Sequence, residues 1–416
     1  MKIDDLLENT KKGGTTLGGF PVKVLHIQDS GAPETDNEQD VEEGAEDQEH
    51  LNRIRSLSGL SEAIKIDAPQ KPWTRDELQG YVDRIKTDTK TKQDKFKPII
   101  HGSNVKAIVK DDGTTEWDLD DLASQITTPP NSILGTNAKM AKSKKEGAMT
   151  YDLTLPALSG IVVDEETGEF VEITTCPGAG ECQLFCYARK GGYRMFPASS
   201  MSAAQALNFL VNHPTEYMEM FDQEVKAAKA KTDKAGIKLL VRVHDAGDFF
   251  SKEYYNLVMD VKKKNPGVRF YFYTKMGDIA TDPNRPDDVV GQFSGGAKRG
   301  EEKKVEFVRG AGRHVKDAIT LPKEMFRGLF KTDAKGKYVK DADGRTQIKS
   351  EADWNEFKQK LAAQYKIDPN TIITYDQMVK IPEGPNPKWN VVIFPAGHGD
   401  LGASRLDVAN QYMMFH

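Results

Sequence analysis

Apolar positions along the chain alternate between a period of two and a period near 3.6, with clusters of Gly, Pro, Asn and Asp between them. Thr74-x-x-Glu77 reads as a capping box, and Leu78, Val82 and Ile85 follow at helical spacing. A second short helix is expected over 117–126. From about Ser132 the pattern becomes α/β. Tyr151, Leu153 and Leu155 alternate as a half-buried strand, and 161–163 and 170–173 flank Glu165-Glu166-Thr167-Gly168 as a hairpin. Helices are expected over 201–211 and from Pro214, where Met218, Phe221 and Val225 share a face. The run 237–244 predicts a strand, 254–261 an amphipathic helix stopped at Asn265-Pro266-Gly267, and 268–274 another strand. Such a strand–helix–strand unit implies parallel strands with a right-handed crossover. Residues 277–350, rich in Gly, Asp and Lys, read as a long insert. Ser350-x-x-Asp353 then opens a helix with Trp354, Phe357 and Leu361, and 391–394 is a last buried strand. No internal repeat is visible.

The first seventy residues break this pattern. They combine GGTTLGG, few large apolar residues and a possible strand over 22–27 with an acidic run, a composition that cannot repay the entropy of ordering. Residues 29–49 hold ten Asp or Glu and no Lys or Arg, so setting them aside turns the net charge of −5 into about +5. A mildly basic remainder permits a nucleotide or nucleic-acid partner, and the acidic segment is a candidate dock for a protein. The expected organisation is an acidic disordered segment over 1–70, a small helical region over 71–131, and an α/β domain over 132–416. No apolar run approaches the ~20 residues needed to span a bilayer. MKIDDLLENTKKGG lacks a signal-peptide core. A cytoplasmic protein without a membrane partner is expected.

The three cysteines of the chain, Cys176, Cys182 and Cys186, lie in one Gly/Pro-bent segment, TTCPGAGECQLFCYARKGGYR, with spacing C-x5-C-x3-C. An odd count in a cytoplasmic chain argues against disulfides, and the clustering argues for a metal. Structural zinc takes four protein ligands, so His244 or His398 would have to complete a zinc site. A cubane iron–sulfur cluster held by three thiolates keeps one iron open, the arrangement a chemically active cluster needs. Arg189, Lys190 and Arg194 follow closely and either face an anion or form a solvated turn.

Two other strand ends carry polar sets. In VRVHDAGDFFS, His244, Asp245, Gly247 and Asp248 come directly after an apolar strand. The glycine lets a ligand approach the backbone, and Asp248 can accept from an amine or a ribose. His244 reads as a proton carrier, a ligand or a hydrogen-bonded strand-end residue. Thr274 and Lys275 have nearly the same address one strand later. FPAGHGDLGASR repeats the logic with His398, Asp400 and Arg405. Three such ends suggest a single pocket at the carboxyl ends of the strands. No phosphate loop, dinucleotide fingerprint, H-E-x-x-H or calcium loop is present.

CPGAGECQLFCYA with the preceding DLTLPAL, followed by RVHDAGDFFSKEYYN and VRFYFYTK, resembles the phage proteins of the gene-product-eighty-eight family. The resemblance spans 132–275 and the 390–405 segment. Members of that family look like relatives of the radical S-adenosylmethionine (SAM) enzymes, although those use C-x3-C-x2-C. The resemblance implies a partial (β/α) barrel with a three-cysteine 4Fe–4S cluster and SAM on the open iron, Gly247 and Asp248 holding that cofactor. His244, Lys275 and His398 then become candidates for substrate contact or proton transfer. The implied protein is phage-encoded, works in the host cytoplasm, and modifies a nucleotide, a nucleic-acid base or an amino acid. Two other classes fit the residues. One is a binding protein stapled by zinc or iron–sulfur, and the other is a metal-dependent hydrolase using His244, His398 and the aspartates.

Overall fold

In a computed structural model, the described residues are 66, 70–87, 100–137, 140–184, 186, 188, 196–342, 346–394 and 400–414. They belong to one unit, Ile66–His416. The acidic run and the strand expected over 22–27 lie outside the described residues, as do Arg189, Lys190, Arg194 and His398.

The strands in chain order are β1 (Gln70–Trp73), β2 (Ala107–Val109), β3 (Thr115–Trp117), β4 (Leu134–Gly135), β5 (Ala148–Leu153), β6 (Gly160–Val163) and β7 (Phe170–Ile173). They continue with β8 (Lys238–Val243), β9 (Arg269–Thr274), β10 (Val290–Ser294), β11 (Asp317–Leu321), β12 (Ile372–Thr374), β13 (Trp389–Ile393) and β14 (Val408–Met414). Nine of them form one sheet in the order β12-β13-β14-β11-β10-β9-β8-β5-β4. Every neighbouring pair is parallel except β4 with β5 at one edge. The hydrogen-bonded order ends at β4 and β12, so the sheet is large and mostly parallel but does not close into a barrel among the described residues.

From β5 through β8, β9 and β10 to β11, each strand lies beside the next and the order never reverses. With right-handed crossovers, that progression collects the helices on one face. The buried side chains agree. Leu153, Val241, Val243, Phe270 and Phe272 pack with Tyr217, Phe221 and Val225 of the helix Pro214–Lys234 and with Tyr254 and Val258 of the helix Lys252–Lys264. Alternate positions of the same strands, Leu240, Tyr271 and Val290, pack on the other face with Ala403 of the short helix Leu401–Ser404. Strand alternation thus divides the sheet into a helix-covered outer face and an inner face.

The helix Lys252–Lys264 starts at Ser251, whose side chain accepts from the Tyr254 amide, and ends at Asn265. The expected capping box is present, with the Glu77 carboxylate accepting from the Thr74 amide and the Thr74 hydroxyl from the Glu77 amide. The hairpin β6–β7 pairs antiparallel and is extended by β1 into a three-stranded sheet. Its apolar face packs on the helices Arg75–Thr87, Leu119–Thr127 and Pro197–Asn212. Residues 277–350 differ from the expectation of an insert. They supply β10 and β11, which lie in the middle of the large sheet. Gly291 and Gln292 interrupt the apolar pattern of β10, and a Cβ on Gly291 would sit 2.6 Å from the Phe272 ring.

Candidate functional site

The cysteine segment leaves β7 and lies across the carboxyl ends of β8, β9 and β10, where ligands of open α/β sheets bind. Backbone contacts hold it there. The Asp248 amide donates to Thr175 O (3.0 Å), the Gly180 and Cys182 amides donate to Gly296 O (3.0 and 3.2 Å), and the Lys298 amide donates to Gly178 O (2.8 Å). The glycines of C-P-G-A-G-E-C make this approach possible. A Cβ on Gly178 would stand 2.5 Å from Lys275 O, and one on Gly180 2.4 Å from Ala297 O. Both glycines therefore fit the loop to the strand ends.

Leu158 adopts a left-handed backbone conformation (φ 71°), rare for a residue with a branched side chain. In that conformation its carbonyl accepts from the Thr175 and Cys176 amides, and its own amide donates to Cys176 Sγ at 3.3 Å. Burial, followed by the charge of Asp248, pushes the Cys176 thiol up to about 12. Burial likewise raises Cys182, while Lys275 pulls it down. Both thiols feel Cys186, Asp248 and Lys275, so the three cysteines, the aspartate and the lysine share one electrostatic neighbourhood. Among the described residues, no group of three or more His, Cys, Asp or Glu side chains is arranged as a metal site.

Asp248 is buried. One carboxylate oxygen accepts from the Phe249 amide (2.7 Å) and the other from the Lys275 amide (2.8 Å), which ties the end of β8 to that of β9. Burial pushes this carboxyl up to about 6, against those backbone hydrogen bonds. Each oxygen keeps a further lone pair. Lys275 donates to Ser294 Oγ at 3.0 Å, spanning β9 to β10. Gly247 has φ +82°, and a Cβ there would meet Leu155 Cβ at 2.8 Å, so its observed role is close packing.

His244 lies apart from these groups. Continuing the alternation of β8 would place it on the inner face beside Leu240 and Arg242. A left-handed backbone (φ 68°) instead puts its ring edge-on to Phe249 and Tyr254, at 4.8 and 5.5 Å, within the helix-side core. Burial pushes it down to about 3, so it stays neutral and is a poor proton acceptor at neutral pH. Asp400 is buried, its amide donating to Ser143 Oγ (2.9 Å). Arg405 is buried away from it, paired with Asp407.

The inner face below the loop holds polar residues that no motif announced. Arg242 pairs with Asp245 at 2.8 Å and lies 3.7 Å from Asp400, and its guanidinium stacks over Tyr273 at 5.5 Å. The Tyr273 hydroxyl donates to Gln411 (3.0 Å), and the Gln292 amide donates to Ala403 O (3.0 Å). Asp152 on β5 accepts from Thr154 at 2.8 Å. The available signal was a single polar residue in each apolar strand: Asp152 in TYDLTL, Arg242 in LVRVH, Gln292 in VGQFS and Gln411 in ANQYMM.

Burial, then the charge of Asp245, pushes Asp152 up to about 6 against the pull of Thr154 and Arg242. A carboxyl that keeps its proton to about pH 6 folded, but only to about pH 4 unfolded, costs the fold roughly 2–3 kcal/mol at neutral pH. The folded state binds more protons than the unfolded state between those values, so this residue's contribution worsens as pH rises through the window. Asp152→Asn is therefore expected to be more stable than the parent by about that amount at pH 8. In urea titrations the gap should shrink below pH 6 and close near pH 4. A constant gap would show that ionisation is not its source.

Fold and site together define a mixed α/β protein whose chemistry-bearing loop lies over the carboxyl ends of a mostly parallel sheet. The chain belongs to the Gene product 88 family of bacteriophage proteins, whose model matches residues 131–369. That span runs from β4 to the end of the helix Glu351–Tyr365 and includes all three cysteines. No curated protein and no solved structure matches the chain. No helix among the described residues is long and apolar enough to cross a membrane.

Proposed function

We propose that this phage protein is an iron–sulfur enzyme related to the radical SAM enzymes, with Cys176, Cys182 and Cys186 holding a 4Fe–4S cluster. The observation that carries this reading is the gathering of all three thiols with Asp248 and Lys275 over the ends of β8, β9 and β10. The donor set fits. Three thiolates satisfy three irons, the Leu158 amide already donates to one sulfur, and protons held by the buried thiols leave when a cation binds. When bound, such a cluster supplies one-electron chemistry and an iron open to the amino and carboxylate groups of SAM.

The protein's own residues then have distinct parts. Gly178 and Gly180 seat the loop, and the Asp248 carboxylate locks the β8 and β9 ends beneath it with lone pairs left for a cofactor amine. Lys275 places a cation beside the thiols, suited to a carboxylate or phosphate. The ordered progression from β5 to β11 supports a partial-barrel reading, because it is how (β/α) barrels are wound. A nucleotide, a nucleic-acid base or an amino acid remains the proposed substrate class. A hydrolase built on His244 loses support, since that ring is neutral within the helix-side core.

The test is spectroscopic. Anaerobically reconstituted protein, reduced with dithionite, is expected to show a cluster paramagnetic resonance signal that saturating SAM shifts. A colourless protein with one tightly bound zinc would overturn the cluster. A signal indifferent to SAM would overturn the kinship with SAM enzymes.

A further inference from the structure

The inner face of the sheet holds more hydrogen-bonding capacity than its own residues use. Asp152 Oδ1 and Gln292 Oε1 are buried acceptors with no donor among the described residues, and Gln411 Nε2 is a buried donor with no acceptor. All three side chains are more than nine-tenths buried, on three different strands of one face. Arg242 and Tyr273 lie on the two strands between Asp152 and Gln292. Buried polar atoms are nearly always paired, so several unpaired ones on one face call for an occupant. The Leu401–Ser404 helix covers only part of this face, through Ala403.

The type of atom left over narrows the occupant. One unpaired acceptor is a carboxylate oxygen, the strongest acceptor a protein offers, and it is matched best by a charged donor. The other is a neutral amide oxygen two strands away. Arg242 already lies against Asp245 and close to Asp400, so its charge is shared.

We propose that this inner face is a subsite for a planar, positively charged nitrogen group of the ligand, a guanidinium or amidinium, held by Asp152 and Gln292. The subsite rests on reading the strand ends as a ligand site, and it requires no cluster. It would orient the cationic end of a substrate beneath the cysteine loop, with Lys275 available above it for an acidic group.

The experiment uses the full-length protein, as purified and after cluster reconstitution, titrated calorimetrically with methylguanidinium and with its neutral counterpart methylurea. Methylguanidinium is expected to bind at least tenfold more tightly than methylurea, and Asp152→Asn to abolish that preference. Gln292→Leu, which keeps the volume and removes the acceptor, should weaken methylguanidinium several-fold and provides the comparison if the Asn variant misfolds. Equal affinity for the two probes, or no binding of either, would overturn the subsite and assign the unpaired atoms to water. Because the titration needs no cluster, its failure leaves the iron–sulfur reading standing. A protein without iron that still prefers methylguanidinium would retain the subsite and lose the cluster.

Discussion

Replacing any one of Cys176, Cys182 or Cys186 by serine is expected to remove most of the iron from anaerobically reconstituted protein, which should otherwise carry about four irons per chain. A serine hydroxyl does not ionise at neutral pH and is a poor ligand for iron, and the chain has no other cysteine to substitute. The fold should survive. All three cysteines are only partly buried, and the hydroxyl of Cys176→Ser can still accept from the Leu158 amide. Circular dichroism and the melting temperature should therefore change little while iron content and visible absorption collapse together. Iron retained in all three single variants would place the cluster on other ligands, or show it to be adventitious.

The parts of this site that were legible in the sequence are those where chemistry and spacing coincide. Three thiols in eleven residues can be seen without a fold. So can the strand–helix–strand unit 238–274, because its helix has a serine cap and a proline stop and its strands are long apolar runs. The inner face was hidden for a physical reason. When both faces of a parallel sheet are covered, apolar residues occupy both, and alternation no longer tells which side faces a ligand. Asp152, Arg242, Gln292 and Gln411 then look like isolated blemishes in four unrelated strands, and only the register brings them onto one face.

Backbone conformation misled the reading in the opposite direction. His244 follows β8 in the position of an inner-face residue, and its chemistry suited a pocket. One left-handed φ sends the ring to the other side of the sheet. Gly247 was read as a place for a ligand to approach, yet the backbone it admits is that of Leu155 and Pro156. Gly178 and Gly180, which passed as mere flexibility in the thiol loop, are the residues whose absent side chains allow the loop to reach β9 and β10. Close approach between distant segments leaves no periodic trace in a sequence.

Arg405 shows the same limit and yields the largest expected loss of stability. It was grouped with His398 and Asp400 as a pocket residue, but its guanidinium makes a two-point bridge to Asp407, 2.8 and 2.6 Å, with both side chains buried. Its remaining nitrogen donates to the carbonyls of Met378 and Ile381 at 3.0 and 2.7 Å, fastening the 378–381 turn to the start of β14. Arg405→Ala leaves a buried carboxylate and two carbonyls unpaired, and is expected to cost about 3–5 kcal/mol. Arg405→Lys should recover only part of this, because an ammonium cannot reproduce the planar fork. The loss should also depend on pH. Burial alone would raise Asp407, but the Arg405 and Gly384 hydrogen bonds outweigh it and hold the carboxyl below its usual range. A carboxyl depressed in the fold contributes stability that is fully present above the unfolded value, near pH 4, and is lost as pH falls through the folded value. The difference between parent and Arg405→Ala in urea denaturation should therefore be largest at pH 6–8 and narrow toward pH 3. A difference below 1 kcal/mol, or one unchanged by acid, would show that the bridge is not what fastens this turn.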